Sequence, residues 1–403
     1  MKIAIAAALT LLTASVPALS GEVDPSNWPA VLEKARGETV YFHAWGGEPR
    51  INAYIDWAGE VVKDRYGVTL TQVKVDDTAN VVSRIIAEKA AGKTEGGSVD
   101  LVWINGENFA ALKRASLLAN EGWAGELPNW KLVDVAGKPS VVNDFTEPTE
   151  GLESPWGMAQ LVFSYDTARL ATPPKTLEAL AEYLETHPGR FAYPQPPNFH
   201  GSTFLKQVLV SAIDDPAKLS HPVDDATFAA DVAPVFAYLD RLHPNLWRQG
   251  RAFPQNAGDL RQMLSDGEVD IAFSFNPAGA TAAIEAGELP DTVRTFVLDG
   301  GTIGNTHFVA IPFNANARAG ALVVANFLLS AEAQARKQDP KVWGDPTVLN
   351  VDALPEADKE RFAAIDLGIA TLRPQELGPV ISEPHASWMT RLEEEWIARY
   401  AAP

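Results

Sequence analysis

An apolar run typical of a β-strand is followed by a segment with helical periodicity three times between residues 40 and 117. The strands are predicted at Val40 to Trp45, Val68 to Val75 and Asp100 to Ile104. The helices are predicted at Arg50 to Lys63, after the capping pair Asp76-Asp77, and from Gly106 through Leu117. Such alternation with short connections predicts an α/β fold, in which helices cover both faces of a parallel sheet.

A second α/β unit is predicted from residue 157 onward. Its strands are predicted at Gly157 to Tyr165, Arg190 to Tyr193, Asp270 to Phe275 and Thr306 to Phe313, and its helices after Thr176, near Ser202, after Gly279, over Ala317 to Lys337 and over Ser387 to Tyr400. The first and last of these strands fall where the chain can cross between the units, and no Gly/Ser-rich linker joins them. Two crossings predict two lobes on a hinge: residues 21–158 with 306–345, and residues 159–305 with 346–403.

The N-terminus, MKIAIAAALTLLTASVPALSGEV, predicts a secretory signal peptide. Lys2 precedes an apolar stretch too short to span a bilayer, and small residues surround Ser20, where we expect cleavage. The chain has 0 cysteines, which excludes disulfides, thiolate metal sites and cysteine nucleophiles. Its formal net charge of -19 disfavours binding to nucleic acid or to anionic membranes.

Motifs that would identify a catalytic or cofactor site are missing from the sequence. Gly92-Lys93-Thr94 resembles the end of a phosphate-binding loop, but Ala87 stands where that loop needs a glycine. There is no nucleophile elbow, zinc-protease motif or calcium-binding loop. The histidines lack metal-ligand spacing; they are His43, His187, His200, His221, His243, His307 and His385. The sequence therefore predicts no metal site, no cofactor and no catalytic residue.

The strand-to-helix junctions are the predicted ligand-binding site, because ligands of open α/β sheets bind beyond the carboxyl ends of the strands. Tryptophan, asparagine and glycine are concentrated there. Turn formation does not require an indole, and glycine lets backbone amides approach a ligand closely. The predicted ligand-binding residues are Trp45, Gly46, Gly47, Glu48, Trp103, Asn105, Glu107, Trp156, Asn198, His200, Ser202, Asn276, Gly279 and Asn305.

The two lobes of this predicted site favour different ligands. In the first lobe, an aromatic wall with nearby carboxylates suits a flat or cationic organic solute. These residues are Trp45, Trp103, Trp156, Glu48 and Glu107. In the second lobe, the loops Asn198 to Ser202 and Asn276 to Gly279 precede helices and should offer unpaired backbone N–H groups to a carboxylate or oxyanion. The sequence leaves open whether the solute is an organic cation or a small anion.

Several segments resemble an extracellular solute-binding protein of an ABC importer, of the two-lobed periplasmic type. VDLVWINGENFAALKRASLL resembles the family's third strand and helix, GMAQLVFSYDTARL its first crossing segment, and GTIGNTHFVAIPFNANARAGALVVANFLLSAEAQAR its return crossing. HAWGGEPRINAYIDW resembles more narrowly the YnjB-type branch. The resemblance implies a type II periplasmic-binding-protein-like fold, a periplasmic monomer and an inner-membrane permease as partner. Related branches bind thiamine, polyamines, ferric ions or small oxyanions, and the lack of an adjacent Tyr-Tyr pair counts against iron.

Three hypotheses for the function follow. The favoured one is a solute-binding protein whose lobes close on a small solute by a hinge motion. The alternative is a secreted enzyme acting on a small polar substrate in the same cleft, with Glu48, Glu107 and Asp76 as candidate acids and His200 as a base. A purely structural or adhesive protein is disfavoured, because polar and aromatic residues are concentrated at the strand ends.

Overall fold

The computed structural model describes residues 23–119 and 122–401. The predicted signal peptide, Met1 to Ser20, lies outside these residues. Within them, no helix is both long enough and apolar enough to cross a bilayer. The strands are β1 (Thr39–Trp45), β2 (Thr69–Val75), β3 (Leu101–Ile104), β4 (Asn143–Asp144), β5 (Glu147–Pro148), β6 (Glu153–Gln160), β7 (Val162–Asp166), β8 (Ile271–Ser274), β9 (Val293–Phe296), β10 (Thr302–Ala310) and β11 (Val380–Ser382).

The helices occupy most of the intervening segments. They are α1 (Trp28–Ala35), α2 (Pro49–Tyr66), α3 (Thr78–Ala90), α4 (Glu107–Arg114), α5 (Leu177–Thr186), α6 (Phe199–Ala212), α7 (Phe228–Asp231), α8 (Ala233–Leu242), α9 (Ala257–Asp266), α10 (Gly279–Glu285), α11 (Arg318–Leu328), α12 (Ala331–Gln338), α13 (Glu356–Ala363) and α14 (Ala386–Tyr400).

Helix starts follow local capping residues. Asp77 accepts a hydrogen bond from the N–H of Ala79 at the start of α3, and Thr176 accepts one from Ala179 at the start of α5, as the sequence predicts. The single helix predicted over 317–337 is wrong, because Ser330 caps a new helix, α12, directly after α11 ends.

The first sheet contains the three predicted strand–helix units. Its strand order is β11-β10-β3-β1-β2, and β6 pairs with β10. β1 lies parallel to β2 and β3, which confirms the prediction for this part of the chain. β10 lies antiparallel to both β3 and β6, so the complete sheet is mixed. We call this sheet and the helices packed on it the first lobe.

The second sheet has the order β8-β7-β9, and both pairs are antiparallel. The predicted strand at Arg190 to Tyr193 is reduced to one bridge between Phe191 and Ile271, because its flanking residues do not continue the pairing. We call this sheet and its helices, including α6, α10 and α14, the second lobe. Phe163 of β7 packs on Phe273 and Phe296 of the two neighbouring strands.

The predicted strand at Gly157 to Tyr165 is two strands in different sheets. β6 belongs to the first sheet and β7 to the second, and Leu161 lies between them. The N–H of Leu161 donates to the carbonyl oxygen of Ile303 (2.8 Å) near the start of β10. The chain therefore crosses between the lobes at Leu161, where two strand segments lie side by side.

The C-terminal part of the chain divides differently from the predicted boundary at residue 346. Val348, Leu349, Leu354 and Phe362 pack in the hydrophobic core of the first lobe. The second-lobe core instead takes its C-terminal members from Ala370, Trp388, Leu392 and Trp396. The final return to the second lobe lies after α13, because the segment before it completes the first-lobe core.

Candidate ligand-binding cleft

The lobes meet at β10, which has two strand partners on one edge. Phe308 to Ala310 pair with β3, whereas Thr302 to Gly304 pair with β11. Between these partners, Asn305 to His307 pair with β6 on the opposite edge. The crossing residue Leu161 lies beside this point. We therefore identify the gap between the ends of β3 and β11 as the floor of the interlobe cleft.

A buried ion pair lies on this floor. The Nζ atom of Lys206, in α6, is 2.5 Å from Oε2 of Glu383, which directly follows β11. Asn305 Nδ2 donates to the other carboxylate oxygen of Glu383 (3.4 Å). The Lys206 ammonium is 5.5 Å from the ring centroid of Phe145 and 5.9 Å from that of Phe199. We call these five residues the Lys206 cluster.

The sequence prediction includes Asn305 but omits the other four members of the Lys206 cluster. Phe145 lies on the β4–β5 hairpin, within a segment that lacks periodicity. Phe199 lies between the predicted residues Asn198 and His200, and its ring is 48% exposed despite being large and apolar. In the sequence, this exposed residue is visible only as a phenylalanine next to a helix cap.

Two buried carboxyl groups lie in the first lobe, and one of them, Asp144, is next to Phe145 of the Lys206 cluster. Asp144 and Glu153 are 1% and 0% exposed, and burial raises the pKa of each well above its usual range. The charges of Glu107, Glu383 and Glu147 also raise the pKa of Asp144. One Asp144 oxygen accepts the N–H of Gly106 at 2.8 Å, which ties the β4–β5 hairpin to the start of α4. The two buried groups therefore favour the protonated form, and Asp144 has three further acidic side chains within electrostatic range.

An aromatic group with a buried cation lies behind the cleft. Lys337 Nζ is 3.9 Å from the ring centroid of Trp156 and 4.0 Å from that of Trp343, and it is paired with Asp345 at 2.5 Å. Burial lowers the pKa of Lys337 to about 8, although Asp345 raises it. Trp103 packs edge-on against Trp156, with ring centroids 5.0 Å apart. We call Trp103, Trp156, Trp343, Lys337 and Asp345 the Lys337 cluster.

The predicted aromatic wall is only partly assembled. Trp156 is completely buried, so it supports Trp103 from inside the first lobe and has no surface in the cleft. The register of β1 and β3 pairs His43 with Val102, so Trp45 and Trp103 point to opposite faces of the sheet. Trp45 is 41% exposed, and the placement of these three indoles on one cleft surface is therefore wrong for two of them.

The predicted glycine turn after β1 is shaped by its neighbours. A Cβ atom at Gly46 would lie less than 3.0 Å from Lys74, and one at Gly47 would lie less than 3.0 Å from the Trp45 ring. Glu48 is the N-cap of α2 and accepts the N–H of Arg50 (3.3 Å). These glycines are required for close side-chain packing at the rim of the first lobe.

The remaining first-lobe residues lie at the ends of β2 and β3. Asn105 is half-buried, and Glu107 is exposed in the first turn of α4. Asp76, a candidate acid of the enzyme hypothesis, is exposed at the end of β2. Among residues 23–119 and 122–401, no group of three or more acidic or histidine side chains is arranged to hold a metal ion.

Several polar groups of the second-lobe loop at the start of α6 are paired. Asn198 is the N-cap and accepts the N–H of His200 (3.0 Å). The N–H of Ser202 donates to the carbonyl oxygen of Asn198, and its hydroxyl donates to Glu393. The prediction of an unpaired amide at Ser202 is therefore wrong, because this residue is already inside the helix. Burial lowers the pKa of His200 to about 4, so its imidazole is neutral at pH 7.

The second predicted loop contacts the first lobe instead of presenting free groups. Asn276 accepts the N–H of Ala278 (3.0 Å) and donates to the carbonyl oxygen of Trp343 (3.2 Å). The N–H of Gly279 donates to the carbonyl oxygen of Asn276, so this amide is not free either. The bond to Trp343 holds the loop at the lobe boundary, and the bond from Ala278 shapes the loop itself.

Arg50 joins the two lobes directly. From the start of α2 it donates to the carbonyl oxygen of Pro340 (3.1 Å) and to that of Ala282 in α10 (3.3 Å). The cleft thus combines two lobes in contact, exposed and half-buried aromatic rings, acidic surroundings and an ion pair on its floor. This arrangement can enclose a small molecule between the lobes.

Comparisons with known proteins agree with this geometry. The family model described as bacterial extracellular solute-binding protein matches residues 58–359. Protein YnjB of Escherichia coli (strain K12) is 48% identical over 375 residues, which cover 93% of this chain and 94% of that protein.

Solved structures with the same fold include two binding proteins of different solutes. One is the spermidine/putrescine ABC transporter substrate-binding protein PotD from Streptococcus pneumoniae, with a TM-score of 0.60, 15% identity and coverage of 90% of this chain and 98% of that chain. The other is the periplasmic binding protein AfuA from Actinobacillus pleuropneumoniae with bound fructose-6-phosphate, with a TM-score of 0.57, 17% identity and coverage of 91% and 99%. At these identities the likeness concerns the fold alone.

Proposed function

This chain is a bacterial extracellular solute-binding protein, and we propose that it captures a small solute in its interlobe cleft and delivers it to the permease of an ABC importer. The observation that carries the proposal is the pair of α/β lobes joined by strands that pass beside each other at Leu161 and Ile303. A short double crossing lets two lobes rotate about a hinge while each keeps its core intact. The ABC partner is carried over from PotD, which has this fold.

Closure of the lobes supports this role. Arg50 and Asn276 make hydrogen bonds across the lobe boundary at the ends of sheet strands. A solute that binds both lobes stabilises the closed form over the open form, and its differential affinity sets how far the population shifts. A permease that recognises the closed form would then receive the loaded protein.

We propose that a subset of the predicted residues contacts the solute. Trp103, Asn105 and Glu107 of the first lobe, with Asn305 on the floor, surround the gap between β3 and β11. Asn198 and His200 lie opposite them, at the start of α6. Trp45, Gly46, Gly47, Glu48, Ser202, Asn276 and Gly279 would act at the rim or through packing, and Trp156 would act through Trp103.

Export and assembly complete the proposal. The family is extracellular, and the N-terminal sequence fits a signal peptide cleaved after Ser20, which would place the mature chain in the periplasm. The protein would act as a monomer and would release its solute unchanged. Nothing in the described part of the cleft specifically favours the enzyme hypothesis, because no candidate acid is hydrogen-bonded to His200 there.

Native mass spectrometry of protein released from the periplasm without refolding tests this function. We expect a mass increment from one bound solute, and a smaller radius of gyration by X-ray scattering than for the same protein stripped of solute by dialysis in denaturant and refolding. A solute that is chemically converted on incubation would contradict the proposal and favour an enzyme. A protein whose radius of gyration does not change with any solute from the periplasmic extract would also contradict the proposal.

A further inference from the structure

The Lys206 cluster places a cation between two aromatic rings that belong to different lobes. Phe145 projects from the β4–β5 hairpin of the first lobe, and Phe199 begins α6 of the second lobe. Their ring centroids lie 5.5 and 5.9 Å from the ammonium of Lys206. These distances are within the range of cation–π attraction. A cation at this point therefore attracts both lobes.

The anionic partner of that cation is fully enclosed. Lys206 and Glu383 are each 2% exposed, and their Nζ–Oε2 distance is 2.5 Å. Asn305, 4% exposed, donates its amide N–H to Glu383, while its own Oδ1 atom is buried and lacks a hydrogen-bond partner. A buried acceptor without a donor costs stability. A second donor at this site would satisfy it.

We propose that the cationic group of the solute, a primary or secondary ammonium, binds to Glu383 and Asn305 between Phe145 and Phe199, and that Lys206 occupies this position when no solute is bound. The inference rests on the proposed function, since it assigns the solute class of the same cleft. In the unliganded protein, Lys206 neutralises Glu383 and prevents a buried, uncompensated charge. The solute ammonium replaces it with an equivalent ion pair and also supplies the donor that Asn305 Oδ1 lacks.

The surrounding charges favour a cation over an anion at this point. Asp144 lies within electrostatic range of Glu383, Glu107 and Glu147, and each of these charges raises its pKa. An anionic solute paired with Lys206 would add a negative charge beside Glu383 and these acidic side chains, which is unfavourable at a buried site. A solute ammonium keeps Glu383 paired with a cation.

Binding and closure are coupled by the position of the rings. Phe145 and Phe199 are brought to one cation only while the lobes are close together. A solute ammonium between them would therefore bind the closed form more tightly than the open form.

Chemical rescue of Lys206→Ala tests the site with a small probe in place of the solute. The substitution removes Cγ, Cδ, Cε and Nζ, which correspond to the atoms of n-propylammonium. We expect Lys206→Ala to have a lower Tm than the wild type. Saturating n-propylammonium should raise that Tm by about 2 °C or more relative to sodium at equal ionic strength. Neutral 1-propanol and wild-type protein should give no comparable shift.

A matched double variant identifies the partner of the added ammonium. Lys206→Ala/Glu383→Gln has the same vacated volume without the anion, so n-propylammonium should not stabilise it. Lys206→Met keeps the side-chain volume and removes the charge, and it replaces the alanine variant if that variant does not fold. Lys206→Met should bind the co-purified solute several-fold more tightly than the wild type. Equal rescue by propanol, or rescue of the double variant, would overturn the proposal.

The solute itself separates this inference from the proposed function. If native mass spectrometry shows a bound solute with an ammonium group, and Glu383→Gln loses it while Glu147→Gln keeps it, both proposals stand. If the bound solute has no cationic group, or if Lys206→Met loses it, the protein remains a solute-binding protein but Lys206 is a direct ligand. In that case the ammonium site is refuted.

Discussion

Gly157 and Lys337 are in such close contact that a Cβ atom at residue 157 would lie less than 3.0 Å from the Lys337 ammonium. The same atom would collide with Asp345, the ion-pair partner of Lys337. Gly157 lies in β6, four residues before the crossing at Leu161. The buried ion pair of the first lobe can therefore pack against the crossing strand only because this residue has no side chain.

Gly157→Ala should destabilise the protein through overpacking beside a buried charge pair. We expect the free energy of unfolding to fall by about 1–3 kcal/mol, measured by urea denaturation. Gly300→Ala is the control, because a Cβ at that exposed residue meets no atom within 4 Å. Equal stability of the two variants would show that the ion pair moves away at little cost.

Lys337 should make stability rise with pH in the alkaline range. Its pKa is lowered from 10.5 to about 8 in the folded protein, because burial disfavours the charged ammonium. Between these values the unfolded chain binds more protons than the folded chain, so raising the pH favours folding. We expect the Tm of the wild type, relative to that of Lys337→Met, to rise between pH 8 and 9.5. The rise should correspond to roughly 1 kcal/mol of unfolding free energy. Parallel curves would show that Lys337 titrates normally.

Glu153 should have the opposite influence at acidic pH. Burial raises its pKa well above 4.5, so the folded protein binds this proton more tightly than the unfolded chain does. Its contribution to stability is therefore present below pH 4.5 and is lost as the pH rises through the folded pKa. Glu153→Gln should be more stable than the wild type at pH 7, with little difference at pH 4. Glu147→Gln, a half-exposed carboxylate paired with Lys113, should not show this pH-dependent gain.

Arg50→Ala should open the lobes in the absence of solute. The variant loses two hydrogen bonds, one of which crosses to Ala282 of the second lobe. The bond to Ala282 contributes about 0.5–1.5 kcal/mol to the closed form, so the radius of gyration from X-ray scattering should increase when it is lost. Arg65→Ala is the control, since Arg65 binds Glu332 within the first lobe. An unchanged scattering profile would mean that closure does not depend on Arg50.

Trp103 and Trp45 should differ strongly in their contribution to stability. Trp103 contacts the rings of Trp156, His307 and Trp343, so Trp103→Ala should lower the free energy of unfolding by about 3–5 kcal/mol. Trp45 is 41% exposed, and Trp45→Ala should cost less than about 1 kcal/mol. Titration of both variants with the co-purified solute should show weaker binding for Trp103→Ala. Unchanged affinity in both would remove aromatic contact from the proposed site.

Local sequence patterns predicted the α/β units and many helix starts. Asp77 was identifiable as a cap, and a helix was predicted directly after Thr176, because a cap acts on an amide two or three residues away. The same logic failed at Gly157 to Tyr165, where one continuous apolar run forms strands in two different sheets. An apolar residue predicts burial, but it does not indicate which of the two hydrophobic cores the residue joins.

The candidate site was predicted in part, from residues at or next to the ends of predicted strands. Asn305 and Trp103 were predicted from such positions, whereas Lys206 and Glu383 were not. These two residues are 177 positions apart and form their ion pair only after α6 and β11 have both packed against β10. Their partner Phe145 lies in a segment without periodicity, so no local pattern marks it.

The sequence alone determined the α/β units and placed aromatic and polar residues at the predicted strand ends, because periodicity, capping and composition act over a few residues. The tertiary structure decided which polar side chains meet. It buried Trp156, turned Trp45 away from Trp103, paired the amides of Ser202 and Gly279 and placed Lys206 on Glu383. These outcomes depend on strand register and on contacts between distant segments, and their energies exist only when the whole fold has formed.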